Sequence, residues 1–206
     1  MLPHAELARL AGLAYRGPWS GRVALDCEYD LLPRPGEVVV AMPGTNPADA
    51  LDWIRDLRAA PRWFAAIGIC HAGFGSGGLA VAERVTVAVK GDERLMSVIG
   101  HSLGGAMALV VGARLLAAGH RVRVVTFGAP RVAFCLNLAL RRGLRGADEL
   151  IEYRRAGDPV PHVPMRPLYR HLTRGVAIGA ARPEPIANHA IGLYAADLAG
   201  APAQAA

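Results

Sequence analysis

Gly100-His101-Ser102-Leu103-Gly104 is wedged between an apolar run and a segment of small residues, and it constrains the folding of this chain more than any other stretch. Met96–Ile99 reads as a short buried strand, and Ala106, Leu109, Val110 and Ala113 then recur at helical spacing. Strand, sharp turn with serine, then helix is the setting of a nucleophile elbow. The turn is too tight for side chains at its flanks, which is the steric reason for glycine there. A serine held at a helix N-terminus faces free backbone N–H groups and the positive end of the helix, which favour a developing negative charge. Alone, the pentapeptide is also compatible with a glycine-rich strand–helix turn that happens to carry a serine. The rest of the chain therefore has to supply the partners that the chemistry needs.

A chain of 206 residues, 52% hydrophobic and 19% charged, can bury one sizeable core and does not read as disordered. We expect one α/β domain over residues 1–200 and a frayed, low-complexity tail at 201–206. No apolar run approaches the ~20 residues of a membrane helix, so no integral membrane segment is expected. Met1–Leu10 carries His4, Glu6 and Arg9 and shows no export signal, so a cytoplasmic protein is expected, or one exported by another route. Cys27, Cys70 and Cys135 are scattered and odd in number, which suits buried free thiols rather than disulfides or a metal site. The net charge of +6 is almost all arginine. Such a balance fits transient contact with an anionic lipid surface or a phosphate-bearing substrate. No basic stripe with interleaved aromatics appears, so nucleic acid is not an expected partner.

Along the chain, Ala5–Tyr15 patterns as an amphipathic helix, Arg22–Asp30 as extended, and Val38–Met42 as a buried strand. Asn46-Pro47 with Asp49 signals a helix start, running to about Arg58. Trp63–Cys70 reads as a strand, the glycine-rich 73–78 stretch as a loop, and Leu79–Lys90 as a helix. After the elbow and its helix come a strand at Val122–Phe127, a helix near Phe134–Arg142 and an extended Leu150–Arg154. A hairpin around Leu168–Ile178 and a last helix over His189–Leu198 complete the pattern. This alternation implies a mainly parallel sheet covered by helices on both faces.

A hydroxyl needs an adjacent base, and the base needs an orienting group. In α/β hydrolases these follow the serine in the order acid, then histidine. Asp158, in the Gly157–Pro159 turn after a predicted strand, falls at the carboxyl edge of the sheet, where such sheets carry their sites. Asp148 and Glu149 precede that strand and belong to the other edge; a plain turn cap is the alternative for Asp158. His189, late in the chain behind the loop 182–185, suits an imidazole carried on a mobile loop over the serine. His162 lies in the stiff Pro159–Pro164 segment and reads as solvent-facing or structural, and His101 as a packing residue. Two oxyanion donors are expected: the N–H of Leu103, and Thr45 at the end of the Val38–Met42 strand.

With these residues in place the chain resembles the class 3 lipases, the fungal-type triacylglycerol lipase group, over most of its length. Pro43-Gly44-Thr45 stands where that group has Arg-Gly-Thr, and Trp53 with Asp56 matches its Trp-x-x-Asp element. His71-Ala72-Gly73-Phe74, the elbow, Thr126–Arg131 and Asp158-Pro159-Val160-Pro161 follow in the family's order. The resemblance implies an α/β-hydrolase fold and a Ser102–Asp158–His189 triad with Thr45 and Leu103 as oxyanion donors. It also implies a lid helix near 48–57 presenting Leu51, Trp53, Ile54 and Leu57, unless that helix simply packs on the core. The implied activity is cleavage of lipid or small acyl esters through a Ser102 acyl-enzyme, with no metal or cofactor. A membrane-lipid hydrolase of the phospholipase A1 type and a non-catalytic binding module are the alternatives. Pro43 in place of arginine removes a charged anchor beside the oxyanion loop.

Overall fold

The computed structural model describes residues 1–23, 27–44 and 60–200. The strands are β1 (Gly21–Val23), β2 (Cys27–Arg34), β3 (Glu37–Met42), β4 (Pro61–Phe64), β5 (Gly68–His71), β6 (Leu95–His101), β7 (Val122–Phe127), β8 (Ala133–Phe134), β9 (Glu149–Arg155), β10 (Tyr169–Arg170) and β11 (Val176–Ile178). The described α-helices are α1 (His4–Leu13), α2 (Ala72–Ala88), α3 (Leu103–Ala117), α4 (Ala139–Gly143) and α5 (Ile191–Gly200).

β3, β6 and β7 are buried along their whole length because both faces of the sheet are covered, which is why most of their residues are apolar. The period of two sorts their side chains between two cores. Val38, Val40, Met96, Val98, Val122 and Val124 meet α2 and α3 on one face. Val39, Ala41, Ile99, Val125 and Phe127 meet α1 and α5 on the other. The resulting sheet has the order β1-β2-β3-β6-β7-β9-β11. Its first three strands pair antiparallel and every later neighbour is parallel. All the β3-to-β11 strands therefore end on one edge, and that edge carries the elbow.

Several local expectations give way to tertiary structure. The 73–78 stretch, expected as a loop, is the first half of α2, whose glycines answer close packing rather than flexibility. A Cβ on Gly75 would lie 2.3 Å from the Phe64 ring, and one on Gly78 would lie 2.7 Å from Val110. The 63–70 run is two strands, β4 and β5, folded back at Gly68, whose φ is +74°. Instead of one helix near 134–142, β8 is followed by a short α4, whose first N–H groups are accepted by Asn137 Oδ1. The expected 168–178 hairpin does not form: β10 joins β8 in a separate antiparallel sheet of order β10-β8-β5-β4, while β11 pairs parallel with β9. The residues read as a helix around 46–58 and as a tail at 201–206 lie outside the described residues.

A buried polar knot at the opposite edge of the sheet was not visible in the sequence pattern. Arg123, 2% exposed near the start of β7, donates to Glu37 Oε2 (2.6 Å), Ser97 Oγ (2.7 Å) and the Leu2 carbonyl (3.0 Å). Ser97 donates in turn to Glu37, as does the Leu2 N–H (2.6 Å). Burial would raise the Glu37 carboxyl, but Ser97, the Leu2 N–H and Arg123 outweigh it and hold the group below its usual range. A depressed carboxyl contributes stability that is present above the unfolded-state range and is lost as pH falls through the lowered folded value. Glu37→Gln leaves the guanidinium buried without its counter-charge and is expected to cost about 3–5 kcal/mol in urea unfolding near neutrality. The gap to wild type should narrow in acid; a constant gap would show that the carboxylate charge is not what matters.

Candidate active site

The elbow is built by two steric facts. A Cβ on Gly100 would lie 2.3 Å from the Gly104 carbonyl carbon and oxygen, so the strand exit and helix entry touch directly. Ser102, between them, sits at φ 56°, ψ −126° and is the one described non-glycine residue with positive φ. Strain of this kind persists only where the surroundings fix it, and it clusters at functional sites. Here the Ser102 N–H is tied to the Phe127 carbonyl at the end of β7 (3.0 Å), and its own carbonyl starts α3 by accepting from the Ala106 N–H (3.2 Å). Leu103 is the first residue of α3, so its N–H has no acceptor within the helix. The exit of β3 passes over the same spot: a Cβ on Gly44 would be 2.7 Å from the Ser102 Cβ. Thr45 follows at once in the chain but lies outside the described residues, as do Leu51, Trp53, Ile54 and Leu57.

Asp158 and His189 come together from separate loops. Asp158 follows β9, and its Oδ1 accepts from the Val160 N–H (2.9 Å), so it does cap its turn. Its Oδ2 meets His189 Nδ1 at 2.8 Å and also accepts from the Tyr194 hydroxyl at 2.6 Å. An ionised carboxylate only accepts, so the proton of a neutral His189 sits on Nδ1 and Nε2 carries the lone pair. That Nε2 is buried and has no hydrogen-bond partner among the described residues. The two rings His101 and His189 lie 4.4 Å apart between centroids, which sets His189 next to the elbow. Ser102, Asp158 and His189 are all buried, at 3%, 1% and 6% exposed.

The loop carrying His189 is braced rather than loose, contrary to the expectation of a mobile segment. Residues Pro185–His189 form a single 3₁₀ turn, and helix α5 starts only at Ile191. Asn188 is fully buried; its Nδ2 donates to the Arg182 (3.1 Å) and Glu184 (3.2 Å) carbonyls, and its Oδ1 accepts from the Arg182 N–H and the Arg155 guanidinium. Arg155 is anchored in turn on Asp197 (2.8 Å).

His101 does more than pack. Its Nε2 lies 2.8 Å from the His189 carbonyl, which can only accept, so Nε2 donates and Nδ1 takes the Tyr15 hydroxyl proton at 2.7 Å. Tyr15 accepts from the Gly44 N–H. Burial, then the neighbouring His189, push His101 well below the usual histidine range, and burial raises Tyr15, so both stay neutral. Elbow, His189 loop and β3 exit are thereby tied into one chain of hydrogen bonds. Tyr194 is held by burial and the Asp158 charge well above the usual phenol range, so it donates as a neutral hydroxyl. The helical spacing of α5 marks Tyr194 only as a core residue, and nothing local to Tyr15 points to residue 101.

The other candidate acids and bases lie elsewhere. Asp148 pairs with Arg121 and Glu149 with His4, at the opposite edge. His162 is exposed. His171 is spent on Glu152 (2.9 Å) and the Pro161 carbonyl (2.8 Å), bracing the Asp158 loop from below. Arg131 clamps the same loop by donating to the His162 and Pro164 carbonyls.

No helix among the described residues is long and apolar enough to cross a membrane, and they contain no cluster of metal-ligating side chains. Residues 39–167, more than half of the chain, match the family model for lipase (class 3). A Caenorhabditis elegans lipase is 41% identical over 75 residues, a match that covers 32% of this chain and 20% of that protein. The chain therefore spans about a fifth of the length of that curated relative. The Rhizomucor miehei triacylglyceride lipase superposes with a TM-score of 0.64 at 21% identity, over 76% of this chain and 63% of that one. A nonglycosylated Yarrowia lipolytica lipase gives 0.66 at 22% identity, over 89% and 81%. These likenesses give the fold, an α/β-hydrolase sheet with helices on both faces. With the family's motifs in register along a sheet of that topology, this chain belongs to the class 3 lipase family.

Proposed function

We propose that the protein is a serine carboxylic-ester hydrolase that cleaves acyl esters of lipids. The observation that carries this reading is the Asp158–His189 pair with an unpartnered Nε2, beside a serine held at positive φ on a helix N-terminus. Ser102 Oγ attacks the ester carbonyl carbon while His189 Nε2 takes its proton, and Asp158 stabilises the imidazolium that forms. The carbonyl oxygen becomes an oxyanion facing the Leu103 N–H, with the backbone at residue 45 as the second donor. Collapse breaks the C–O bond, and His189 returns the proton to the leaving alcohol. Water then attacks the acyl-serine by the same proton route and releases the acid. A module that only binds would need neither a strained serine nor a base left without a partner.

An organophosphonate probe tests the reading directly. One equivalent is expected to attach to the folded protein, on the peptide that contains Ser102. Folded protein that stays unlabelled, or label found on another residue, would overturn it.

A further inference from the structure

Outside this site, the segment Met165–His171 combines three features that fit one occupant. Arg166, Pro167, Arg170 and His171 line a cavity of about 320 Å³. Neither the Arg166 nor the Arg170 guanidinium has an ion pair or hydrogen bond among the described residues. Behind them stand Arg131 and Arg154, each with a buried Nε that has no hydrogen-bond partner among the described residues. Burial, then the charges of Arg166 and Arg154, lower Arg131 below the usual arginine range, so the positive fields converge on this spot. The carboxylate nearest Arg154 is Glu152, 1% exposed and already engaged by His171 and by Thr173. Among the described residues, the Arg166 and Arg170 guanidiniums thus face the hollow without a carboxylate partner of their own.

Exposed apolar side chains flank these lining residues along the chain. Met165 is 76% exposed and Leu168 51%. Tyr169 is buried, while its chain neighbours Leu168 and Arg170 are exposed. A soluble phosphate would use the arginines and leave Met165 and Leu168 in water. A bilayer offers both a phosphate to the guanidiniums and an apolar layer just beneath it.

We propose that Met165–His171 is a docking site for the phosphate of an anionic phospholipid at a bilayer surface, with Arg166 and Arg170 as its ligands. The site rests on the ester-hydrolase reading only for the reason a lipid surface would be visited, and its test needs no turnover.

Co-sedimentation with vesicles decides it. The protein is expected to bind phosphatidylcholine vesicles containing phosphatidylglycerol and to bind pure phosphatidylcholine weakly. Arg166→Glu with Arg170→Glu reverses two charges at the surface and should weaken binding about 100-fold. The neutral pair Arg166→Gln with Arg170→Gln should weaken it about tenfold. Arg84→Glu with Lys90→Glu makes the same change of net charge on exposed residues around the far end of α2 and should cost much less. The pocket variants should keep the wild-type circular dichroism and urea midpoint, which reports that they are folded.

Equal loss in both charge-reversed pairs would reduce the effect to diffuse charge and overturn the site. So would equal binding to neutral vesicles, or protection by inorganic phosphate without vesicle binding, which would assign the hollow to a soluble ligand. Vesicle binding without organophosphonate labelling would sink the hydrolase reading and leave the docking site standing.

Discussion

Replacing Ser102 by alanine is expected to lower kcat on a short-chain ester by about 10⁵- to 10⁶-fold, because serine, base and acid act as a unit and lose their effect together. Some acceleration should survive, since oxyanion donors and binding still favour the attack of water. The stability of the variants carries independent information. At φ 56° an alanine is strained much as the serine is. Ser102→Gly relieves strain of about 1–3 kcal/mol at the cost of a freer unfolded chain, for a net gain of about 1 kcal/mol. The glycine variant should therefore be as inactive as the alanine variant and yet unfold at higher denaturant. Unchanged turnover in both would move the nucleophile elsewhere. Equal stability of the two would mean that the elbow stores no strain.

Asp158→Asn is expected to cost about 10⁴-fold in kcat with little change in fold. The carboxylate accepts at both oxygens: the Val160 N–H on Oδ1, and His189 Nδ1–H with the Tyr194 hydroxyl on Oδ2. An amide cannot match that pattern in either orientation. With its NH₂ toward Oδ1 it opposes the Val160 N–H. With its NH₂ toward Oδ2 it donates to His189 Nδ1 and drives the proton to Nε2, the nitrogen that has to accept from the serine. The loss should appear in kcat more than in KM, because the acyl chain does not touch the acid. Turnover within tenfold of wild type would remove Asp158 from the orienting role.

Much of the layout was legible because it depends on local sterics and on periods that the chain repeats. The run Val38–Met42 reads as a buried strand and Val122–Phe127 as a strand, and the Gly–Ser–Gly turn between Ile99 and Ala106 has to be tight. The order of serine, acid and histidine along the chain placed three candidates on loops at one sheet edge, and the structure brings Asp158 into contact with His189. Glycine misled where its reason was packing: residues 73–78 look like a loop, yet they are helix because Phe64 and Val110 leave no room for side chains. Weak local preference yields to such contacts.

The sequence by itself determined the fold class and the three chemical residue types, since hydrophobic period, turn sterics and chain order are properties of neighbours along the chain. Only the tertiary structure decided that Tyr194 shares the Asp158 oxygen, that Tyr15 and His101 tie three loops together, and that Arg123 finds Glu37 inside the sheet. Each of those bonds joins residues dozens of positions apart. A buried polar group needs a partner in space, and spacing along the chain carries no record of which one it will meet.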